Sequence, residues 1–578
     1  VLRFTVRSVT ITILALGCGW LTGAPVQAQS LGPTASVDEV FAGWSRSDGP
    51  GCAVGVIRTG SLVYAQGYGS ANLEYDIPIT PSSVFHVASI SKQFTAMAVA
   101  LLAADGRLSW DDDIRRYVPE VPDFGDQVTL RHLANHTSGL RDQWSLLRMA
   151  GWRWEEDVVK TRDVLDVLSR QRALNFPPGT EFLYSNTGYT LLAIVVERVS
   201  GQSLRTFAEE RIFAPLEMRH TQFHDDHTAL VRNRAYAYRR GDDGAYRISI
   251  PDFDVVGPTS LFTTVEDLAR WERNFYTGEL GGHGVLADLH QRGILSDGRM
   301  VSYGAGLTHG SYRGYLTVGH GGADAGYRSE FLRFPAQELT IAVLCNEPSS
   351  NPDRLVRAVA DVYLDLAATA QSAPSELQAV EANPVAPFSN GGGAGDVGLG
   401  EVVEMPLLAD LAELTGFYRR DDSDTPLQLV VRDGSLTILT GGANGTLLPA
   451  GADRFRLAGS ATVGTFERTD GPATLELSGP VGGRYVQEPH WRPAPEELGR
   501  FVGDYYSAEV GSQYSLWVER GRLMLRERRL GILPLIPTYP GGFFTSGFYL
   551  SFTDGPDGSV DGFTISTERA WKVRFDRQ

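Results

Sequence analysis

Val87-Ala88-Ser89-Ile90-Ser91-Lys92-Gln93, in one-letter form VASISKQ, sets a lysine three residues after a serine. The chain otherwise all but avoids lysine. It occurs only at Lys92, Lys160 and Lys572, and every other member of the Lys+Arg total of 52 is arginine. A role that needs positive charge alone is met elsewhere by arginine. What arginine cannot do is release its proton. Phe94, Met97, Ala98, Leu101 and Leu102 then recur at helical spacing and Gly106 stops the run, so a helix is expected to begin at this serine. Three residues apart on a helix, Ser89 and Lys92 share a face. Unpaired N–H groups and the positive dipole end gather at a helix start, which favours a developing oxyanion. A serine hydroxyl needs a base, and a lysine that is desolvated or close to another cation can provide one.

Outward from this stretch, helical and strand patterns interleave from about residue 35 to 370. Cys52–Arg58 and Leu62–Gly69 read as a hairpin turned at Thr59-Gly60. A second helix is expected from Thr187, with Leu192, Val195, Val196 and Val199 buried and Gly201 at its end. A third starts at Thr264, where Asp267 completes a capping-box pattern. Strands at Tyr315–His320, Tyr327–Phe334 and Leu339–Cys345 close the region. Hairpin strands at both ends with helices between imply an α+β design, an antiparallel sheet packed with helices. Residues 371–405 are rich in Gly, Pro and Ala and read as a linker.

Beyond the linker the sequence repeats. LTGFY at 414–418 answers FVGDYY at 501–506, and LVVRDGSL at 429–436 answers LWVERGRL at 516–523. Gly416, Tyr418 and Gly434 match Gly503, Tyr505 and Gly521 at a shift of about 87 residues, and DGP recurs at 470–472 and 554–556. Each copy alternates short strands with Gly/Asp turns, so two small antiparallel barrels are expected, over 406–488 and 493–578, jointed at Pro489–Glu496.

Composition sets limits. A chain of 578 residues exceeds one core, so several domains are expected. The net charge of −17 argues against nucleic acid as a partner. No stretch in the body of the chain is apolar enough to span a bilayer. Arg3 and Arg7, the apolar run Val9–Leu21 and Val26-Gln27-Ala28 read as an export signal over residues 1–28, cleaved after Ala28. Cys18, in ALGC, makes a poor lipoprotein box, so anchoring there is not expected. Cys52 and Cys345 remain, either as a disulfide or as two buried thiols in neighbouring strands.

Two further stretches give the serine and lysine a context: Tyr184-Ser185-Asn186, after the turn PPGT at 177–180, and His320-Gly321-Gly322 at a strand end. With S-x-x-K first, then Y-x-N, then H-x-G, the chain resembles the serine β-lactamases and penicillin-recognising hydrolases. The likeness is to the branch holding class C β-lactamases, D-aminopeptidases, D,D-carboxypeptidases and related esterases. It covers roughly residues 35–365, and HLANHTSGL at 132–140 and LFTTVEDLARW at 261–271 add to it.

The resemblance implies that Ser89 is an acylated nucleophile and that Lys92 and Tyr184 share the proton traffic, with either as base. It implies that Asn186 orients Lys92 and binds the substrate amide, that His320 and Gly322 lie on the strand along which substrate pairs, and that the backbone N–H groups of Ser89 and Ala323 form the oxyanion hole. His320 stands where β-lactamases have a lysine for the substrate carboxylate, and Arg328, in GYRSE, is the candidate replacement. The histidine form resembles D-aminopeptidases, which also carry two C-terminal barrels and send a loop from the last one to the cleft.

The expected activity is therefore that of an exported serine hydrolase needing no cofactor or metal, acting on a small peptide, amide or ester. A D-amino-acid peptide is favoured over a β-lactam or a simple ester. The alternative of another class is a wall-peptide binding protein without turnover. His220, His224, Asp225, Asp226 and His227 cluster without a helical ligand spacing, and Asp554, Asp557 and Asp561 read as a turn. Trp152 and Trp154 either wall the cleft or pack.

Overall fold

The computed structural model describes residues 33–154, 156–364 and 408–578, except 421, 440–444, 452, 459–461, 468–471 and 479–481. The expected export signal with Cys18, the linker, and Asp470 and Gly471 of the first DGP lie outside the described residues.

A six-stranded antiparallel sheet forms the frame, in the order 308–312, 315–324, 327–334, 339–345, 52–58, 61–68. The first and last long strands are neighbours in it. Cys52 pairs with Cys345, and the two are joined by a disulfide, which decides between the two readings of these cysteines. The 52–58 strand is buried on both faces, so it reads as a continuous apolar run. Val54 and Val56 join Val37, Phe41, Val343, Val356 and Val359 beneath the helices Pro33–Val40 and Pro352–Tyr363. Ala53 and Ile57 face the main core on the other side, with Val265 of the helix Val265–Thr277.

The strand Thr308–Tyr312 was not expected. Its sequence, THGSY, has no apolar alternation because it is a part-exposed edge. The helix after the serine runs Ser91–Ala104 and is buried from Ser91 to Leu102 on all sides, so it is a core helix rather than an amphipathic one. Thr264 caps its helix by accepting from Asp267 N at 3.0 Å, but the capping box is only half made. The Asp267 carboxylate turns instead to His220 N and Thr221 Oγ1.

The two repeats are barrels. The first closes through Phe417 opposite Glu488. The second is a curled sheet of nine strands over 503–577, in which Tyr505 pairs with Arg577. The repeated residues do the same work in each copy. Tyr418 O–H donates to Leu414 O at 3.2 Å and Tyr505 O–H to Phe501 O at 2.9 Å. Gly434 and Gly521 have φ of +76° and +74°, after Asp433 and Arg520 at +49° and +51°. Two successive positive φ values make the hairpin turn that matches strand twist, which is why glycine recurs there.

The first barrel keeps its own core. The second does not: Leu146, Leu147, Met149, Val159, Val164 and Val167 of the α+β region share one apolar cluster with Tyr514, Leu516 and Phe563. Arg141 and Glu509 form a buried ion pair at 2.6 Å across that seam.

Candidate active site around Ser89

The serine stands in a strained turn. Ala88–Ile90 is a short 3-10 turn ahead of the helix, so Ser89 lies one turn before the helix rather than inside it. Ala88 has a φ of +47°, a conformation costing about 1–2 kcal/mol for a residue with a Cβ. Its surroundings hold it there. Ser329 Oγ donates to Val87 O at 2.9 Å, Ser91 Oγ donates to Ala88 O at 2.5 Å, and Ala88 N donates to His86 Nδ1 at 3.2 Å. From Ser83 to Leu102 every residue is buried except Ser89. The strain turns one side chain outward from an otherwise closed segment.

Lys92 is fully buried beneath it. Its Nζ lies 2.9 Å from Asn186 Oδ1, 2.7 Å from Pro258 O and 3.1 Å from Ser89 Oγ. The first two partners are carbonyl oxygens and can only accept. A neutral amine gives each of them one N–H and keeps a lone pair for the hydroxyl. Burial drives the Lys92 pKa well below that of an ordinary lysine, Asp324 opposes this, and Arg569 adds to it.

Tyr184 is set by His136, which lies in the 132–140 stretch and was not among the expected site residues. Leu183 N donates to His136 O at 2.9 Å and Ser185 N to His136 Nδ1 at 3.2 Å, so the backbone on both sides of Tyr184 is held. The two rings lie 4.2 Å apart. Burial pushes the Tyr184 phenol up, with Ser89 and Arg569 opposing it, so the phenol keeps its proton at neutral pH.

Asn186 orients Lys92 through Oδ1. Its Nδ2 donates to Asp142 Oδ2 at 3.0 Å, and its backbone N donates to the same oxygen at 2.7 Å. His320 Nδ1 lies 2.6 Å from Gly321 O, so it carries the hydrogen, and Nε2 then accepts from Tyr303 O–H at 2.8 Å. Burial and Lys92 hold the His320 pKa down to about 3. Gly322 is needed for close approach: a Cβ there would lie 2.3 Å from Val87 O and 2.4 Å from Ser329 Oγ. The 315–324 strand can therefore pack against the serine turn, and Ala323 follows beside it.

Residues 38–365 match the beta-lactamase family model. The chain belongs to the beta-lactamase family. Among similar proteins, a D-aminopeptidase of Gluconobacter oxydans is 30% identical over 307 residues, covering 53% of this chain and 57% of the relative. Penicillin-binding protein 4* of Bacillus subtilis is 29% identical over 307 residues, covering 50% and 66%. The chain thus spans less than two thirds of the length of these relatives. The octameric penicillin-binding protein homologue from Pyrococcus abyssi superposes with a TM-score of 0.51 at 20% identity, over 86% of this chain and 98% of that one. SurE does so with a TM-score of 0.51 at 23% identity, over 78% and 99%. These likenesses give the fold, a β-lactamase/transpeptidase-like domain followed by two barrels.

In this member of the beta-lactamase family the remaining candidates fall as follows. Ala323 and Arg328 line a cleft of about 390 Å³ with Trp144, Trp154, Phe253 and Asp324. Arg328 Nη1 donates to Ala325 O at 2.9 Å and Tyr327 O at 2.7 Å, so its guanidinium is turned onto its own hairpin. Trp154 walls the cleft, 5.2 Å from Trp144, whereas Trp152 packs under Arg529 at the seam with the second barrel. A larger hollow of about 900 Å³ lies on that seam, and none of the motif residues lines it. Asp226, His227 and Asp254 approach one another, but Lys160 Nζ already stands 3.1 Å from Asp254, and His220 and His224 are elsewhere. Asp554 pairs with Arg500, Asp557 caps Ser559 and Asp561 pairs with Arg574, which is the bonding of a turn.

Three members of the site had no signal in the sequence. Asp142 is buried and fastens Asn186. The carbonyl of Pro258 is a backbone group. Arg569 comes from the second barrel: its guanidinium carbon stands 5.1 Å over the Tyr184 ring, and its carbonyl accepts from Asp142 N and Asn175 Nδ2, each at 3.0 Å.

Proposed function

We propose that this protein is a serine hydrolase of the D-peptidase type, acting through an acyl-enzyme on an amide or ester bond. The observation that carries the reading is the surroundings of Lys92 Nζ, in which two carbonyl oxygens occupy its N–H groups and Ser89 Oγ occupies the third direction. In the free enzyme Lys92 is the better base. Its neutral form is favoured by burial, whereas the phenolate of Tyr184 is opposed by it. Lys92 takes the Ser89 proton as Oγ attacks the carbonyl carbon. The backbone N–H groups of Ser89 and Ala323 receive the oxyanion. The proton passes to the leaving group, with the Tyr184 hydroxyl as a relay, and water then releases the acyl group by the reverse path. The D-aminopeptidase relatives support a D-amino-acid substrate. The uncharged His320 supports a peptidase over a β-lactamase that needs a cation on this strand. The Cys52–Cys345 disulfide supports an oxidising, exported setting.

The test is labelling of Ser89 by a fluorophosphonate, read by peptide mass spectrometry, beside hydrolysis of D- and L-alanine p-nitroanilides and of N-acetyl-D-alanyl-D-alanine. Labelling at Ser89 with turnover confined to D substrates, absent in Ser89→Ala, is expected. Unlabelled Ser89 with no turnover would overturn the reading in favour of a binding protein.

A further inference from the structure

The hollow of about 900 Å³ on the seam is more than twice the size of the cleft of about 390 Å³ beside Ala323. One wall of it is the outer face of the second barrel. Along the strand Ser512–Glu519, Tyr514 and Leu516 belong to the core, so Gln513, Ser515 and Trp517 face the other way and line the hollow. The register carries that face sideways: Gln513 lies opposite Tyr506, Ser515 opposite Arg526, and Arg526 opposite Ile532. Tyr506 and Ile532 are 41% and 58% exposed. The facing wall is the helix Thr161–Ser169 and Arg170, and Trp152 adds a third aromatic ring. The acids of these walls are all engaged. Asp166 pairs with Arg170 at 2.6 Å, Asp163 accepts from Lys160 N at 2.9 Å, and the buried Glu527 accepts from Arg529 N at 2.7 Å and Leu530 N at 2.8 Å. Two cations are not. Arg526 and Arg528 are exposed side chains of the lining, and neither makes a side-chain hydrogen bond or ion pair among the described residues. In a chain of net charge −17, this face presents uncommitted positive charge beside flat rings.

We propose that this hollow is a second binding site, for an acidic oligosaccharide whose carboxylates meet Arg526 and Arg528 and whose sugar rings lie against Trp517 and Tyr506. A guanidinium presents a planar fork that fits a carboxylate with two hydrogen bonds. A sugar ring has a flat C–H face that packs on an aromatic ring, and its hydroxyls suit the polar Gln513 and Ser515 beside those rings. A peptide adding as a strand needs a free sheet edge. The strands that carry Trp517 and Arg526 are paired on both sides, so they offer side chains and no such edge. A nucleic acid, the other chain of rings and anions, is opposed by the net charge of −17. The site is independent of the chemistry at Ser89, and it would hold a saccharide to the same molecule that carries the serine.

The experiment is calorimetric titration of the full chain with hexagalacturonate, with the neutral maltohexaose and with hexaglutamate. The wild type is expected to bind hexagalacturonate at least about tenfold more tightly than either of the others, the worth of one charge-assisted hydrogen bond. Rising salt should weaken the acidic saccharide and leave the neutral one unchanged. In the double variant Arg526→Gln with Arg528→Gln the preference for the acidic saccharide should fall towards one, and in Trp517→Ala both saccharides should weaken, by about three- to tenfold. Binding in Ser89→Ala should equal that of the wild type, whatever becomes of turnover, so this site and the hydrolase reading fail separately. Absence of saccharide binding, equal binding of the acidic and neutral saccharides, or tighter binding of hexaglutamate overturns the proposal, the last in favour of an acidic peptide. An undiminished preference in the double variant, folded as judged by an unchanged denaturant midpoint, overturns it too. Were that variant not to fold, the wild-type preference and its salt dependence still decide.

Discussion

At the scale of the residue, Lys92 is defined by two carbonyl partners that can only accept. Replacing it by arginine keeps charge and removes the chance of deprotonation, so Lys92→Arg is expected to lose at least about a thousandfold in kcat/KM, measured on whichever substrate the wild type turns over. The sign of the pH dependence follows from the depressed pKa. The neutral amine is present above that value and lost as pH falls through it, so the acid limb of kcat/KM should lie well below pH 10.5, the ordinary lysine value. An acid limb near that ordinary value, with activity only in strong alkali, would rule Lys92 out as the base. Ser89, Lys92, Tyr184 and Asn186 were legible because side chains write themselves into sequence. Pro258 O was not, since a carbonyl belongs to every residue, and neither was Asp142, whose bond to Asn186 spans 44 residues.

At the scale of the element, the site depends on one strand lying against one turn. Gly322→Ala would bring a methyl group 2.3 Å from Val87 O, a backbone atom that cannot swing away. A loss of about 1–3 kcal/mol in stability is expected from such overpacking, together with a drop in kcat. Unchanged denaturant midpoint and activity would show that the turn gives way freely. A second element titrates. Glu330 lies buried between its strand and the helix 352–363, and burial, with Asp353 beside it, raises its pKa from 4.5 to about 8. The folded state therefore keeps a proton that the unfolded chain has released, and stability from this group is full below pH 4.5 and lost as pH rises to about 8. Glu330→Gln should flatten the fall in melting temperature between pH 5 and pH 9, and an equally steep fall would point elsewhere. Strong periodicity made the helices at 91–104 and 186–200 readable from sequence. It did not show that the first is enclosed on all sides, because the polar Gln93 and Thr95 meet distant partners, Gln93 Oε1 accepting from Trp271 Nε1 and Thr95 Oγ1 donating to Gly257 O.

At the scale of the whole molecule, the duplication was legible and the docking of its second copy was not. The repeat is local, a matter of turn glycines and one tyrosine. The seam is not: Arg141 and Glu509 are 368 residues apart in the chain. Glu509→Ala leaves Arg141 buried without its counter-charge, which typically costs about 3–5 kcal/mol. Because Arg141 adjoins Asp142, activity and docking should fall together, the first read by turnover and the second by an earlier unfolding transition of the barrel. A variant with wild-type turnover and an undocked barrel would separate the two.

The sheet that carries the cleft also has a history in time. Its 52–58 strand waits for a neighbour, 339–345, whose cysteine comes 293 residues later. At ribosomal speeds of about 5–20 residues per second the hairpin spends roughly 15–60 s without that partner. Arg569, which closes over Tyr184, follows Cys345 by a further 224 residues and so arrives later still. A chain that stops before this loop thus lacks the clasp on Asp142.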